Sequence, residues 1–302
     1  MPLLNRRDFL AQAALGGIAA SVSSPRLASA IDPIGRTRPS HLKLSLAAYS
    51  FRHDLASPKK SMDLFEFIDR AADLGLDAVE PTSYYFPEDV TDEYLHRLKQ
   101  HAFLQGLDIS GTAIRNDFCL PPGDEAERDR EHVRAWIGHA AELDAPVLRV
   151  MSGNWRQGTP EEELEKQVVR KINELLPCAA EEGVILALEN HGGGVTETAE
   201  QLLRLVRAIR GPNFGVNLDT GNFHSEDPYT EIARAAPYAV NVQVKTEIRR
   251  KGRTKEPADL AKVIGILREA RYSGYVVLEY DAAEDARTAV PRYIKTLRSL
   301  IS

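Results

Sequence analysis

Short apolar segments recur about every thirty residues along the chain, and each is followed by a polar stretch and an amphipathic helical pattern. Because strands and helices alternate strictly, the sheet is expected to be parallel, and this number of units in about 260 residues predicts a (β/α)8 TIM barrel in the α/β class. The alternative is a doubly wound sheet, which is disfavoured because no Gly-rich phosphate-binding fingerprint follows the first strand. Eight segments are predicted to be strands: 42–50, 76–81, 107–113, 145–152, 184–190, 214–220, 239–245 and 275–281.

The later strands alternate apolar with polar residues. In a barrel, polar residues on the inner face are expected near the carboxyl end of a strand, where TIM barrel active sites form. In the segment NVQVK, Val242 and Val244 form one face, whereas Asn241, Gln243 and Lys245 form the other. The same reasoning places an inward carboxylate at the end of the fifth, sixth and eighth strands. Four inward groups are therefore predicted to converge: Glu189, Asp219, Gln243 and Glu279.

Three carboxylates at one barrel mouth would repel each other, because neighbouring like charges raise each other's pKa. A divalent metal ion is the simplest way to neutralise them. The alternative is a set of ion pairs with Arg149, Lys245 or Arg52, since barrel mouths also hold ionic networks.

Weaker candidates lie close to these groups along the sequence. His191 follows Glu189 by two residues and is expected to bind a substrate hydroxyl or to relay a proton. The alternative is a histidine that is merely solvated in a Gly-rich loop. Lys245 is a candidate for polarising a substrate oxygen, and a structural ion pair with Glu247 or Glu80 is the alternative. Glu80, at the end of the second strand, is expected to orient such groups.

Loops after the third and fourth strands carry side chains suited to stacking on a polyol and hydrogen bonding to it, namely Arg115, Asn154 and Trp155. A basic run at 249–255 follows the seventh strand. It suits either an anionic substrate or a solvated loop.

The segments LENHGG (188–193), NLDTGN (217–222), VQVK (242–245) and VVLEY (276–280) follow the strand order of the barrel. In these segments the chain resembles, over roughly residues 42 to 300, the xylose isomerase-like barrels. That family includes sugar epimerases, hydroxypyruvate isomerase, inosose dehydratase and dehydroshikimate dehydratases. The resemblance implies that Glu189, Asp219, Gln243 and Glu279 bind Mn²⁺ or Mg²⁺, and that Glu189 and Glu279 are the acid/base pair.

The chain departs from the family pattern at two places. Many members read H-x-K-D at the seventh strand, where this chain has QVKTE from Gln243 to Glu247. An amide oxygen is a neutral, hard donor, so the ligand set becomes all oxygen and favours Mg²⁺ or Mn²⁺ over Zn²⁺. Many relatives also carry a His three residues after the sixth-strand Asp. Here that position is Asn222 and the nearest imidazole is His224, so both are candidates for substrate binding.

The resemblance implies a divalent-metal-dependent sugar isomerase or epimerase that transfers a proton next to a carbonyl through an enediolate. The alternative reaction is loss of a β-hydroxyl, by a dehydratase or lyase acting on a keto-sugar or keto-polyol. A different class is an exported carbohydrate-binding barrel without catalysis, for which the pair Glu189 and Glu279 would be unnecessary.

The amino terminus does not read as part of the barrel. Residues 1–30 combine Arg6-Arg7, a short weakly apolar stretch and Ala28-Ser29-Ala30, which predicts a twin-arginine export signal and a periplasmic location. Residues 31–40 read as a linker and 41–302 as the barrel. After cleavage no stable membrane insertion is expected, whereas an uncleaved signal would tether the protein to the membrane.

Composition narrows the choice of partner. The chain has 302 residues and a formal net charge of −6, and its basic residues form only one short run, which argues against nucleic acid. A small-molecule sugar or keto-polyol is the expected partner, and homo-oligomerisation is left open. The two cysteines are too few for a disulfide framework.

Overall fold

The computed structural model describes residues 31–56 and 60–302. The predicted export signal lies outside these residues. In chain order, the strands β1 to β11 are Leu42–Ala47, Ala78–Glu80, Asp108–Ile109, Thr112–Ala113, Val147–Val150, Ile185–Glu189, Phe214–Asp219, Ala239–Val244, Glu247–Arg249, Lys255–Pro257 and Gly274–Leu278. The helices α1 to α9 are Arg52–Leu55, Leu64–Asp73, Asp92–Leu104, Asp124–Glu142, Glu161–Glu181, Ala199–Ala208, Pro228–Ala235, Leu260–Glu269 and Ala286–Ile301.

Nine of the strands form one parallel sheet in the order β3-β2-β1-β11-β8-β7-β6-β5-β4. Strands β3 and β4 are two halves of one predicted strand, so the sheet begins and ends on the same stretch of chain. A bridge between Thr82 and Ala113 completes the ring. The predicted (β/α)8 barrel is therefore confirmed, with its third strand interrupted.

The interruption lies at Gly111, where neighbouring backbones approach closely. A Cβ atom at this position would lie 3.1 Å from the carbonyl oxygen of Val147. Glycine therefore allows β4 to approach β5, while the preceding half pairs with β2.

The helices pack their apolar stripes against the outside of the barrel. In α2, Leu64, Phe67 and Ile68 are buried, and the helix begins with a capping box in which Asp63 and Glu66 each accept from the other's backbone N–H. Such reciprocal caps fix where a helix starts and hence how its apolar face meets the sheet.

Two segments lie outside the barrel pattern. The basic run at 249–255 forms mainly the turn of an antiparallel hairpin between β9 and β10, and residues 251–254 of this turn are exposed. Residues 31–40 contain no helix or strand, but the Ile34 N–H donates to the Pro237 carbonyl at 3.0 Å and the Arg36 guanidinium donates to the Ala239 carbonyl at 2.6 Å. This predicted linker is thus bound to the amino-terminal end of β8.

Within the described ranges, no helix combines the length and apolar character needed to cross a membrane.

Candidate active site

A cavity of about 300 Å³ lies at the carboxyl ends of the barrel strands. TIM barrel enzymes build their active sites at this end, from the loops that follow the strands. Predicted site residues that line this cavity are Glu189, Glu279, His191, Lys245, Asn222, Arg115 and Asn154. The other predicted residues do not line it: Asp219, Gln243 and Glu80 are buried, while His224 and Trp155 are exposed.

Glu189 ends β6 in a buried ion pair. Its Oε2 lies 2.9 Å from the Nε of Arg149, and its Oε1 accepts a hydrogen bond from the Asn222 side chain at 2.9 Å. Burial raises the pKa of Glu189 and the guanidinium of Arg149 opposes that rise. The carboxyl group is thus held near the cavity by a side chain of β5 and a side chain of the loop after β7.

Lys245 occupies the centre of the remaining carboxylates. Its Nζ lies 3.2 Å from Asp219 Oδ2, 3.3 Å from Glu279 Oε1 and 3.5 Å from Asp281 Oδ2. Burial disfavours the charge on this amine, but the carboxylates around it, Asp219 first, outweigh burial and raise the pKa of Lys245. The lysine therefore lies among the converging acids as an ammonium ion, and it also donates to the Asn222 Oδ1 at 3.2 Å.

Beneath the cavity, four buried side chains form a closed ring of hydrogen bonds. The Gln243 amide donates to Glu80 Oε1, and its oxygen accepts from Asn217 at 2.7 Å. Asn241 donates to both Asn217 Oδ1 and Glu80 Oε2, at 2.9 and 2.7 Å. Burial raises the pKa of Glu80 to about 7, while the two amides oppose that rise. Glu80 thus binds the amides of Gln243 and Asn241, whereas its expected role in orienting Lys245 or His191 stays a prediction.

The sequence reasoning missed several residues of this site. Tyr84 lines the cavity, and its hydroxyl accepts a hydrogen bond from Arg149 at 3.1 Å. The Arg115 guanidinium lies 4.7 Å from the centroid of the Tyr84 ring. Asn217 supplies one corner of the hydrogen-bonded ring. Arg149 was named only as an alternative ion-pair partner of the acids, although an arginine inside the otherwise apolar strand β5 requires a buried partner.

Two loops hold the rim in place through close backbone packing. The Asp117 carboxylate accepts from the backbone N–H and the side-chain amide of Asn154, at 3.2 and 3.1 Å. A Cβ on Gly194 would lie only 2.0 Å from the carbonyl oxygen of Gly153. The position of Asn154 in the cavity wall therefore depends on glycine at 194.

The outer predicted residues lie at or beyond the rim. His224 is exposed and lies 2.7 Å from the Arg249 guanidinium. Trp155 is 38% exposed, and its backbone N–H donates to the Gly193 carbonyl at 2.7 Å. His191 lines the cavity and is itself exposed.

The donor set suits a hard divalent cation. Carboxylates outnumber cationic side chains in this cluster, and Asp219 Oδ2, which lies 3.2 Å from the Lys245 ammonium, is a buried oxygen without a well-aligned hydrogen bond within the described residues. Oxygen donors of this kind are the ligands preferred by Mg²⁺ and Mn²⁺. Across residues 31–56 and 60–302, no three Asp, Glu, His or Cys groups already stand in a metal-binding arrangement. Arg149 pairs with Glu189, and Lys245 pairs with Asp219 and Glu279, as the alternative based on ion pairs expects.

Solved structures of sugar epimerases share the fold. D-psicose 3-epimerase from Clostridium cellulolyticum H10, solved with D-tagatose, is 18% identical with a TM-score of 0.67, covering 85% of this chain and 91% of that one. L-ribulose 3-epimerase is 19% identical with a TM-score of 0.67, covering 86% and 93%. The 3-keto-D-glucoside 4-epimerase of E. coli is 14% identical with a TM-score of 0.63, covering 86% and 99%.

No curated protein sequence matches the chain. The sequence profile of the xylose isomerase-like TIM barrel family, in contrast, matches residues 68–300. This match spans most of the barrel, from α2 to α9, and includes the four strands that carry the candidate ligands. The chain belongs to the xylose isomerase-like TIM barrel family.

Proposed function

We propose that the protein is a divalent-metal-dependent sugar isomerase or epimerase that transfers a proton next to a carbonyl. One observation carries the proposal: Glu189 ends β6 and Glu279 directly follows β11, a strand that lies apart from β6 in the barrel, and both face one cavity together with a buried ammonium group. An acid/base pair on two sides of a small polar cavity is the arrangement that proton removal and return require. Fold neighbours whose names describe epimerases of psicose, ribulose and a keto-glucoside support the same class.

Glu189 is proposed to remove the proton. Because burial raises its pKa toward neutrality, the carboxylate is a stronger base than an exposed glutamate and is protonated more readily after the transfer. The Asn222 amide holds one of its oxygens at 2.9 Å. Glu279 is proposed to return the proton, either on the neighbouring carbon or on the opposite face.

Lys245 and the polar rim are proposed to bind the sugar. The Lys245 ammonium lies 3.3 Å from Glu279 and is proposed to polarise a substrate oxygen. Arg115, Asn154 and His191 line the same cavity and supply hydrogen-bonding groups for hydroxyls.

Glu189, Asp219, Gln243 and Glu279 are proposed to hold Mn²⁺ or Mg²⁺. When bound, the ion would supply a Lewis acid that stabilises negative charge developing on substrate oxygens. It would also replace Lys245 as the counter-charge of the carboxylates. Measurement of metal content and thermal stability tests this: Mn²⁺ at about a hundred times its Kd should stabilise the protein by about 2.7 kcal/mol. Loss of bound metal is expected in Asp219→Ala, and unchanged metal content in that variant would contradict the ligand set.

The reaction is tested by incubating the protein with Mn²⁺ and keto-sugars, D-fructose among them, in deuterated water. Solvent deuterium should enter the carbon next to the carbonyl, and uptake should disappear in Glu189→Gln and Glu279→Gln. The exposed Glu88→Gln is the matched control and should retain uptake. Mass spectrometry separates isomerisation from loss of water, which is the dehydratase outcome. Absence of deuterium uptake with every keto-sugar would refute the proposal.

The proposed place of action is the periplasm. The support is in the sequence alone, in Arg6-Arg7 and Ala28-Ser29-Ala30. Replacing both arginines by lysine should retain the protein in the cytoplasm, which cell fractionation would detect. Equal amounts of the replaced and original proteins in the periplasm would contradict a twin-arginine route.

A further inference from the structure

A second and larger cavity adjoins the candidate active site. Its volume is about 660 Å³, more than twice the 300 Å³ of the first, and both values lie in the range of ligand-binding pockets. The two cavities meet at the end of β11, where Glu279 lines the first and Tyr280 and Asp281 line the second. They also meet after β1, where Tyr49 lines the first and Ser50 lines the second.

Residues that line the two cavities contact one another directly. Lys245, in the first cavity, lies 3.5 Å from the Asp281 carboxylate in the second. The Arg52 guanidinium lies 5.4 Å from the Tyr49 ring centroid and donates to the Tyr280 and Asp281 carbonyls at 2.9 and 3.0 Å. A ligand bound beside Glu279 would therefore lie close to residues that also line the second cavity.

The lining of the second cavity supplies hydrogen-bonding groups and disfavours an anionic ligand. Asp281 lines this cavity, and its buried Oδ1 has no hydrogen-bond partner among the described residues, so the carboxylate keeps an unused acceptor atom at the cavity wall. Lys255 lies half-exposed at 3.2 Å from the other oxygen of the same carboxylate. Lining carboxylates outnumber the lining arginines and lysine, and this excess of negative charge would repel an anion.

We propose that the second cavity is a subsite for an uncharged second sugar ring, attached to the keto-sugar that reacts in the first cavity. This inference rests on the proposed function, because it assigns the first cavity to the reacting sugar. The substrate class is therefore a glycoside or disaccharide with one keto-sugar unit. Its linked ring would lie against Asp281, Lys255 and the segment around Ala283.

Calorimetric titration of the metal-loaded protein tests the subsite, with D-fructose and a panel of glucosyl-fructoses that differ in linkage as probes. At least one disaccharide should bind about tenfold more tightly than D-fructose, which corresponds to about 1.4 kcal/mol. Ala283→Trp should fill the second cavity and abolish this advantage while leaving D-fructose binding unchanged, which also shows that the variant folds. Ala135→Trp, on the exposed side of α4, is the matched control and should keep the advantage.

Three results would overturn the subsite: no disaccharide binds better than D-fructose, the advantage survives in Ala283→Trp, or an amine-bearing disaccharide binds more tightly than every neutral one. Deuterium uptake separates this proposal from the proposed function. Uptake without a disaccharide advantage overturns the subsite alone, whereas a disaccharide advantage without uptake overturns the isomerase reaction alone. If neither D-fructose nor any disaccharide binds, both proposals fail.

Discussion

The buried pair of Arg149 and Glu189 should control stability as well as activity, and a double-mutant cycle tests this. Arg149 is 5% exposed and Glu189 is 4% exposed. Arg149→Met removes the guanidinium from beside Glu189 while keeping an unbranched side chain, and Glu189→Gln removes the charge while keeping the shape. The double variant removes both charges together.

Each single substitution leaves an uncompensated charge in a buried site. Loss of one partner of a buried ion pair typically costs about 3–5 kcal/mol, so Arg149→Met is expected to cost about 4 kcal/mol. The same substitution also removes the hydrogen bond to the Ile114 carbonyl, at 2.6 Å. Glu189→Gln should cost less, about 3 kcal/mol, because Arg149 keeps its bonds to Ile114 and Tyr84. The double variant should be about 2 kcal/mol more stable than the sum of the two losses predicts, since neither charge is then left alone.

Urea unfolding, followed by circular dichroism in the presence of a chelator, measures all four proteins without metal binding. In a thermal melt, the Arg149→Met cost corresponds to a decrease in Tm of roughly 8–16 °C, from about 2–4 °C per kcal/mol for a domain of this size. Strictly additive losses would refute the reasoning, because they would mean that the two charges do not stabilise each other.

Two further predictions concern Glu80 and Gly194. Burial raises the pKa of Glu80 to about 7 from an ordinary value of 4.5, so the stability that this group contributes is present below 4.5 and is lost as the pH rises through about 7. This contribution to the free energy of unfolding is roughly 3 kcal/mol, at 1.36 kcal/mol per pKa unit. Urea titrations between about pH 5 and pH 8 should show that the free energy of unfolding depends less steeply on pH in Glu80→Gln than in the original protein. Equal slopes would contradict this prediction. Gly194→Ala should lower the affinity for keto-sugars at least about tenfold, because the added Cβ would meet the Gly153 carbonyl and displace the rim that carries Asn154. Calorimetric titration checks it, and Gly138→Ala, where nothing lies within 4 Å of the added Cβ, is the control. Unchanged affinity in Gly194→Ala would show that the rim adapts.

The strand-to-helix alternation was sufficient to predict the barrel. Apolar segments of the right length and spacing fix which residues can lie in a parallel sheet, and the structure confirms all eight strands in their chain positions. Among these eight strands the local difference is the break at Gly111, where the Val147 backbone approaches closely. Such a contact between neighbouring strands leaves no trace in the periodicity of either strand.

Part of the candidate site was also predictable from the spacing of apolar and polar residues. Period-two alternation places Glu189 and Lys245 on the inner face, and inner positions at the ends of barrel strands must lie near one another. Alternation does not say which partner each group takes. It therefore did not distinguish an Arg149 ion pair from a metal bond for Glu189, and it did not show that Gln243 is bound to Glu80.

The sequence by itself determined the fold, the inward direction of the polar groups and their oxygen-rich chemistry, because these properties depend on local spacing and side-chain type. Only the tertiary structure decided the pairings, because pairing depends on distances between residues brought together from different strands. It placed the Lys245 ammonium among the acids and closed the ring from Glu80 to Gln243. It also opened a second cavity beside Glu279, which depends on how the loops after β1, β8 and β11 pack against each other.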